Sequence, residues 1–226
     1  MKNIGIVGAG NIGGVLARHL TQLGYAITIA NSRGPDTLGE VVARTGATAG
    51  TVEQAVQGQE MVIVTITQKA VPELSRELFA SLPAETVVVD TGNYYPHRDG
   101  TLAEIEAGEV ESRWVEAHLG RPVVKAFNCI YWQSLDTLGK PPGAPGRVAL
   151  PVAGDEAAAK EAVLALVEAL GFDALDAGGL DDSWRQQPGT PVYCRDYDLA
   201  GVKQALAEAR RDRAAEYRAY AAATAK

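Results

Sequence analysis

Along the chain, short runs of β-branched and apolar residues alternate with stretches whose apolar positions recur every three to four residues. The runs "NIGIVG" and "YAITIA" predict two strands, with an Ala- and Leu-rich helix between them from about Ile12 to Leu23. "MVIVTIT" (61–67), "TVVVDTG" (86–92) and "RPVVKAFN" (121–128) are near-continuous in apolar character. That is the pattern of parallel strands covered on both faces. Helices are expected in the gaps, over about 37–45, 71–81, 101–108 and 112–119. The βαβα rhythm predicts an α/β fold, a doubly wound and mostly parallel Rossmann sheet.

The Pro- and Gly-rich stretch "KPPGAPG" (140–146) interrupts this rhythm. Beyond it, "RVALPVAG" reads as a strand, "DEAAAKEAVLALVEALG" as a helix closed by Gly171, and "FDALDAG" as a strand. The tail from Asp198 reads as a helix. Two domains are expected: a Rossmann domain over 1–140, and a small C-terminal α/β domain with a terminal helix over 141–226.

Composition narrows the partners. The net charge of -7 argues against nucleic acid, so any anionic ligand needs local positive groups. No apolar stretch reaches the roughly 18 residues of a membrane span, and the first residues run straight into a strand without a leader pattern. A cytoplasmic protein with no membrane partner is expected. The two cysteines, Cys129 and Cys194, stand far apart in the sequence and in no CxxC or Cys/His spacing. They read as free thiols of a reducing compartment, and no metal-ligand spacing is present.

The candidate chemistry begins at Gly8-Ala9-Gly10-Asn11-Ile12-Gly13, which follows a strand and opens a helix. In that context the glycines serve a tight turn (Gly8), close approach to a pyrophosphate (Gly10) and helix–strand packing (Gly13). The free N–H groups at the helix start then hold the anion. The second strand ends in "NSRG", where an Asp or Glu would bind the ribose hydroxyls of NAD and repel a 2′-phosphate. Asn31, Ser32 and Arg33 reverse that preference: Ser32 offers a hydroxyl and Arg33 a charged planar fork suited to phosphate. NADP(H) is therefore favoured over NAD(H).

In such a sheet the ligand crosses the carboxyl ends of the strands. After one strand, Thr65 reads either as a cofactor contact or as a cap of the following helix. After the next, Asn93, Tyr94 and Tyr95 read either as a turn with two packed rings or as the aromatic wall of the pocket, with Asn93 and Tyr94 the candidate substrate contacts. Ala126, Phe127 and Asn128 are placed to set backbone groups against the nicotinamide carboxamide. His19 and His118 read as non-catalytic, and His97 lies in a loop near Tyr95. No catalytic acid–base set emerges. That is compatible with hydride transfer between apposed rings, where positioning supplies roughly 7–11 kcal/mol of the barrier.

Taken together, "NIGIVGAGNIGGVLARHL", "IANSRGP", "VVKAFN" and "LPVAGDEAAAKEAVLALVEALGFDALDAGGL" resemble the NADPH-dependent coenzyme F420 reductases. The cytoplasmic reductase domains of the STEAP metalloreductases look like the same superfamily. The resemblance implies an NADP(H)-binding Rossmann domain, with the deazaflavin coenzyme F420 held over the nicotinamide in a cleft beside a small acceptor domain. It implies Ser32 and Arg33 as phosphate binders, the glycine loop at the pyrophosphate, residues 126–128 beside the nicotinamide, and a homodimer. The stretch "WRQQPGTPVYCRDYD" (184–198) departs from the archaeal type and resembles a bacterial branch. Its Arg185, Gln186, Gln187 and Tyr193 are candidates for acceptor recognition. Alternative readings are a reductase of another acceptor (flavin, ferric complex, imine or carbonyl) and a non-catalytic NADP(H) sensor.

Overall fold

The computed structural model describes residues 2–224. Its strands are β1 (Asn3–Val7), β2 (Ala26–Ala30), β3 (Thr48–Ala49), β4 (Met61–Val64), β5 (Val87–Asp90), β6 (Val124–Lys125), β7 (Ala149–Val152) and β8 (Asp173–Asp176). The helices of the N-terminal part are α1 (Asn11–Gln22), α2 (Gly39–Thr45), α3 (Val52–Val56), α4 (Arg76–Ala80), α5 (Pro96–Asp99), α6 (Ala103–Glu106) and α7 (Glu111–Leu119). Then come α8 (Trp132–Thr137), α9 (Ala157–Ala169), α10 (Leu199–Ala207) and α11 (Arg211–Thr224). No described helix is long and apolar enough to cross a membrane.

Six strands form one sheet in the order β3-β2-β1-β4-β5-β6, and every pair is parallel. This is the Rossmann order, and its direction reverses between β1 and β4. Alternate residues of β4 and β5 face opposite cores. Met61, Ile63, Val87 and Val89 pack on one side with Leu16 and Leu20 of α1. Val62, Val64 and Val88 pack on the other with Phe79, Trp114 and Val115. Burial on both faces explains why these strands read as unbroken apolar runs.

β7 and β8 form a separate parallel pair, joined to the main sheet by an antiparallel bridge between Lys125 and Ala153. Leu150, Val152, Val163 and Phe172 share one continuous cluster with Ile4 and Ile6. Helix α9 thus buries its Val163, Leu166 and Val167 stripe against both sheets.

Several elements differ from the sequence expectation. The helix expected over 71–81 is a 3-10 turn at Gln68–Glu73 followed by α4, because Pro72 has no N–H to continue a helix. The tail is two helices: Asp198 caps α10 by accepting from the Gly201 N–H at 2.9 Å, and α11 starts anew at Arg211. β3 and α3 are additional elements. Helix α3 carries a capping box between Thr51 and Gln54, a T-x-x-Q signal present in the sequence.

Candidate functional site

The glycine loop is fixed by sterics. Gly8 has φ 117°, and a Cβ there would lie 2.5 Å from the Thr65 carbonyl oxygen. A Cβ on Gly13 would lie 2.0 Å from the Gly8 oxygen. Around Gly10 the space is open, with nothing within 4 Å of a built Cβ. Gly10 is also the N-cap of α1, without a side-chain cap and with no acidic residue in the first turn. The first N–H groups of this 12-residue helix are thus left for an anion in an open cradle. The Thr65 hydroxyl donates to the Gly8 carbonyl at 2.6 Å, so Thr65 holds the loop's shape as well as lining the cleft beyond it.

At the end of β2 the three predicted residues divide their work. Asn31 builds the loop: its Oδ1 accepts the Arg33 N–H at 2.9 Å, and its Nδ2 donates to Thr37 Oγ1 at 2.9 Å. Thr37 in turn donates to the Gly34 carbonyl at 2.8 Å. Ser32 and Arg33 project into solvent at the tip, and Arg33 has no acidic partner among the described residues. The Gly8 N–H donates to the Ala30 carbonyl at 2.8 Å, which ties this loop to the glycine turn. An uncommitted guanidinium and hydroxyl therefore flank the mouth of the anion cradle.

A cleft of about 310 Å³ opens at the carboxyl ends of the strands, where the sheet order reverses. Asn11 and Ile12, Thr65, Gly92 and Asn93, and Phe127 and Asn128 line it from the Rossmann side. Tyr193 closes it from the C-terminal part. Asn93 and Asn128 exchange amide hydrogen bonds, from Asn93 Nδ2 to the Asn128 carbonyl and from Asn128 Nδ2 to Asn93 Oδ1, each 3.1 Å. Phe127 adopts φ 62°, a left-handed conformation uncommon for a bulky residue, of the strained kind that clusters at functional sites. Ala126 is fully buried behind it, in the core.

Tyr94 corrects the sequence expectation. Its ring lies in the core on the far side of the sheet, 0% exposed, with its hydroxyl donating to Glu106 at 2.8 Å. The next residue, Tyr95, takes the cleft position instead. One residue's shift moved the ring because successive side chains of an extended segment point to opposite faces. Tyr95 and Tyr193 are hydrogen-bonded through their hydroxyls. Arg98 covers the Tyr95 ring at 4.8 Å and donates to the Asn93 carbonyl at 2.6 Å. Burial pushes the Tyr95 hydroxyl up to about 12 and Tyr193 higher still, so both remain neutral donors. Gln186 and Gln187 are buried and do not line the cleft, although the Gln186 carbonyl accepts from Asn128 Nδ2 at 2.7 Å, and Arg185 lies over the Trp184 ring at 4.8 Å. His118 donates from Nδ1 to the Trp114 carbonyl at 2.8 Å and is structural.

Beneath the cleft lies a buried charged group that the sequence reading missed. Asp90 and Lys125 stand opposite each other in the β5–β6 register. Lys125, with 0% side-chain exposure, donates to Asp90 at 2.9 Å and to the Gly92 carbonyl at 2.6 Å. Asp90 also accepts from Ser112 at 2.9 Å and from the Gly92 N–H at 2.8 Å. Glu111 accepts from the Tyr94 N–H at 3.1 Å. The cleft wall at Gly92–Tyr94 is thus suspended from a buried ion pair and a buried carboxyl group. The available signal was a charge inside each of two strands otherwise built to be buried, "VVVD" and "VVK".

Glu111 yields a pH prediction. Burial pushes its carboxyl up to about 7 from an ordinary 4.5, against the opposing pull of Lys125. The native state then holds a proton that the unfolded chain releases, and stability from this group is lost as pH rises from about 4.5 to 7. Relative to Glu111→Gln, the wild type should lose on the order of 2 kcal/mol between those limits. Urea denaturation of both proteins at the two pH values measures it. A constant difference would mean that native Glu111 is ionised.

Residues 3–94 match the family described as NADP oxidoreductase, coenzyme F420-dependent. That stretch is less than half of the chain, and it is similar to the family. The resemblance noted in the sequence is supported there, and the family is one of NADP-dependent oxidoreductases. Escherichia coli K12 YjhV is 46% identical over 66 residues, which are 29% of this chain and 48% of YjhV, so the match spans about half that relative. A crystal structure of the hypothetical protein SMa0349 from Sinorhizobium meliloti is 28% identical. It covers 87% of this chain and 95% of its own, with a TM-score of 0.74. A candidate F420-dependent NADP reductase from Arthrobacter sp. FB24 is 22% identical over 81% of this chain and 87% of its own. Its TM-score of 0.64 shows a shared fold.

Proposed function

We propose that this protein is an NADP(H)-dependent oxidoreductase that transfers hydride between NADPH and the deazaflavin coenzyme F420, working as a cytoplasmic homodimer. The observation that carries it is the convergence of an open anion cradle, an unpaired Arg33 and a cleft lined by residues of four strand ends at the sheet's reversal. In this reading the N–H groups of residues 8–13 hold the pyrophosphate, and Ser32 and Arg33 hold the 2′-phosphate. The segment 126–128 and Thr65 border the nicotinamide, while Asn93 and Tyr193 face the acceptor. Bound NADPH supplies the hydride. The chain's residues align the two rings and exclude water, which for a hydride step is the main task.

A second reading keeps the cofactor and replaces the acceptor by a small carbonyl or imine compound. The Tyr95–Tyr193 pair favours it, because two hydroxyls held protonated in the cleft suit a heteroatom that gains negative charge. The discriminating experiment is NADPH oxidation by the purified protein with oxidised F420, beside NADH and a no-acceptor control. Fast, NADPH-selective turnover is expected. Tight NADPH binding with turnover only on carbonyls or imines would establish the second reading. Tight binding with no turnover on any acceptor would leave a non-catalytic NADP(H)-binding module.

A further inference from the structure

The two cysteines, 65 positions apart in sequence, are set side by side by the fold. The Cys194 N–H donates to the Cys129 carbonyl at 2.9 Å. A direct backbone hydrogen bond between two residues permits the Cα separation of about 4.4–6.8 Å that a disulfide spans, and Cys194 is near enough to act electrostatically on the Cys129 thiol. Both thiols are free. Cys129 is buried just past β6, its Sγ donating to the Gln186 carbonyl at 3.2 Å. Cys194 is half-buried with a left-handed φ of 51°. It lines both the cleft and an adjoining chamber of about 650 Å³ shared with Tyr131 and Tyr193. A small molecule arriving from solvent therefore meets Cys194 before the buried Cys129.

We propose that Cys129 and Cys194 are a redox modification site that closes to an intrachain disulfide by exchange with a low-molecular-weight disulfide of the glutathione type. This goes beyond hydride transfer and does not depend on it. First, the Cys194 thiol gives up its proton and its sulfur bonds to one sulfur of the small disulfide, releasing one small thiol. Next, the Cys129 thiol gives up its proton and its sulfur displaces the second small thiol from Cys194. Two protein thiols are oxidised, the small disulfide is reduced to two thiols, and those thiols carry away both protons. The bond ties the loop bearing Tyr193 to the turn bearing Phe127 and Asn128, so it fixes two walls of the cleft to one another. Burial pushes both thiols up; Tyr193, Asp196 and Arg195 act on Cys194, and Cys194, Lys125 and Glu111 on Cys129. Exchange is therefore slow at neutral pH and faster in mild alkali.

The test incubates the full-length reduced protein with oxidised glutathione at mildly alkaline pH, followed by acid quench, intact mass and thiol counting in denaturant. The wild type should lose two hydrogens and both free thiols, retain no glutathione, and give a Cys129–Cys194 cross-linked peptide. Cys129→Ser should instead keep one glutathione on Cys194. The wild-type peptide map decides the matter even if that variant folds poorly. Both thiols remaining free, glutathione persisting on wild-type Cys194, or a disulfide only between chains would each overturn the proposal.

Discussion

Replacing Lys125 with Met is expected to destabilise the protein by about 3–5 kcal/mol, the typical consequence of leaving one member of a buried ion pair uncompensated. Lys125 and Asp90 are both buried, and the lysine also carries the Gly92 carbonyl. After the substitution Asp90 keeps only Ser112 and the Gly92 N–H as donors. Met matches the lysine stem in length, so little packing is lost and the charge dominates. Chemical denaturation at neutral pH measures the effect. The double variant Asp90→Asn, Lys125→Met should recover a substantial part, because it removes the stranded carboxylate. A loss below about 1 kcal/mol in the single variant would mean that water reaches Asp90 and that the cleft wall is not hung from this pair.

Arg33→Ala is expected to weaken NADPH binding about 10- to 100-fold and to leave NADH binding within about twofold. Charge-assisted hydrogen bonds contribute roughly 1.5–3 kcal/mol each, and about 1.4 kcal/mol is a factor of ten in affinity. The selectivity follows from the proposed 2′-phosphate role, since Arg33 stands exposed at a loop tip with no acidic partner among the described residues. Ser32→Asp should act in the same direction by placing a like charge against that phosphate. Asn31 belongs to a different class, since its side chain is committed to Arg33 N–H and Thr37. Removing it should loosen the loop for both cofactors. Fluorescence titration of NADPH and NADH against each variant separates these outcomes. Equal weakening of both cofactors by Arg33→Ala would remove the phosphate role.

Much of the architecture was legible because its determinants are local. Apolar runs of four to seven residues reported β1, β2, β4, β5 and β6, whose burial on both faces leaves no polar alternation to obscure them. The glycine turn was equally legible, since the backbone at Gly8 and the contacts at Gly13 forbid a side chain within a few residues of sequence. Short elements were less visible. α3 and β3 are five and two residues long, too short for a period to register, although the Thr51–Gln54 capping box marked the first.

The sequence by itself determined a doubly wound sheet, its glycine cradle and a strand-end tip, Asn31–Arg33, that carries no acid, because periodicity, turn sterics and neighbouring side-chain chemistry act over a few residues. Tertiary structure decided what the cleft presents. Tyr95 rather than Tyr94 faces it, since the pleat at Gly92–Tyr95 is set by buried Asp90, Lys125 and Glu111 acting from three separate elements. Tyr193 and Cys194 reach it because the C-terminal segment folds back against the end of β6. Asp90 and Lys125 neutralise each other because parallel pairing of β5 and β6 brings them into register. Charge compensation in a core depends on distance in space, and packing alone fixes that distance.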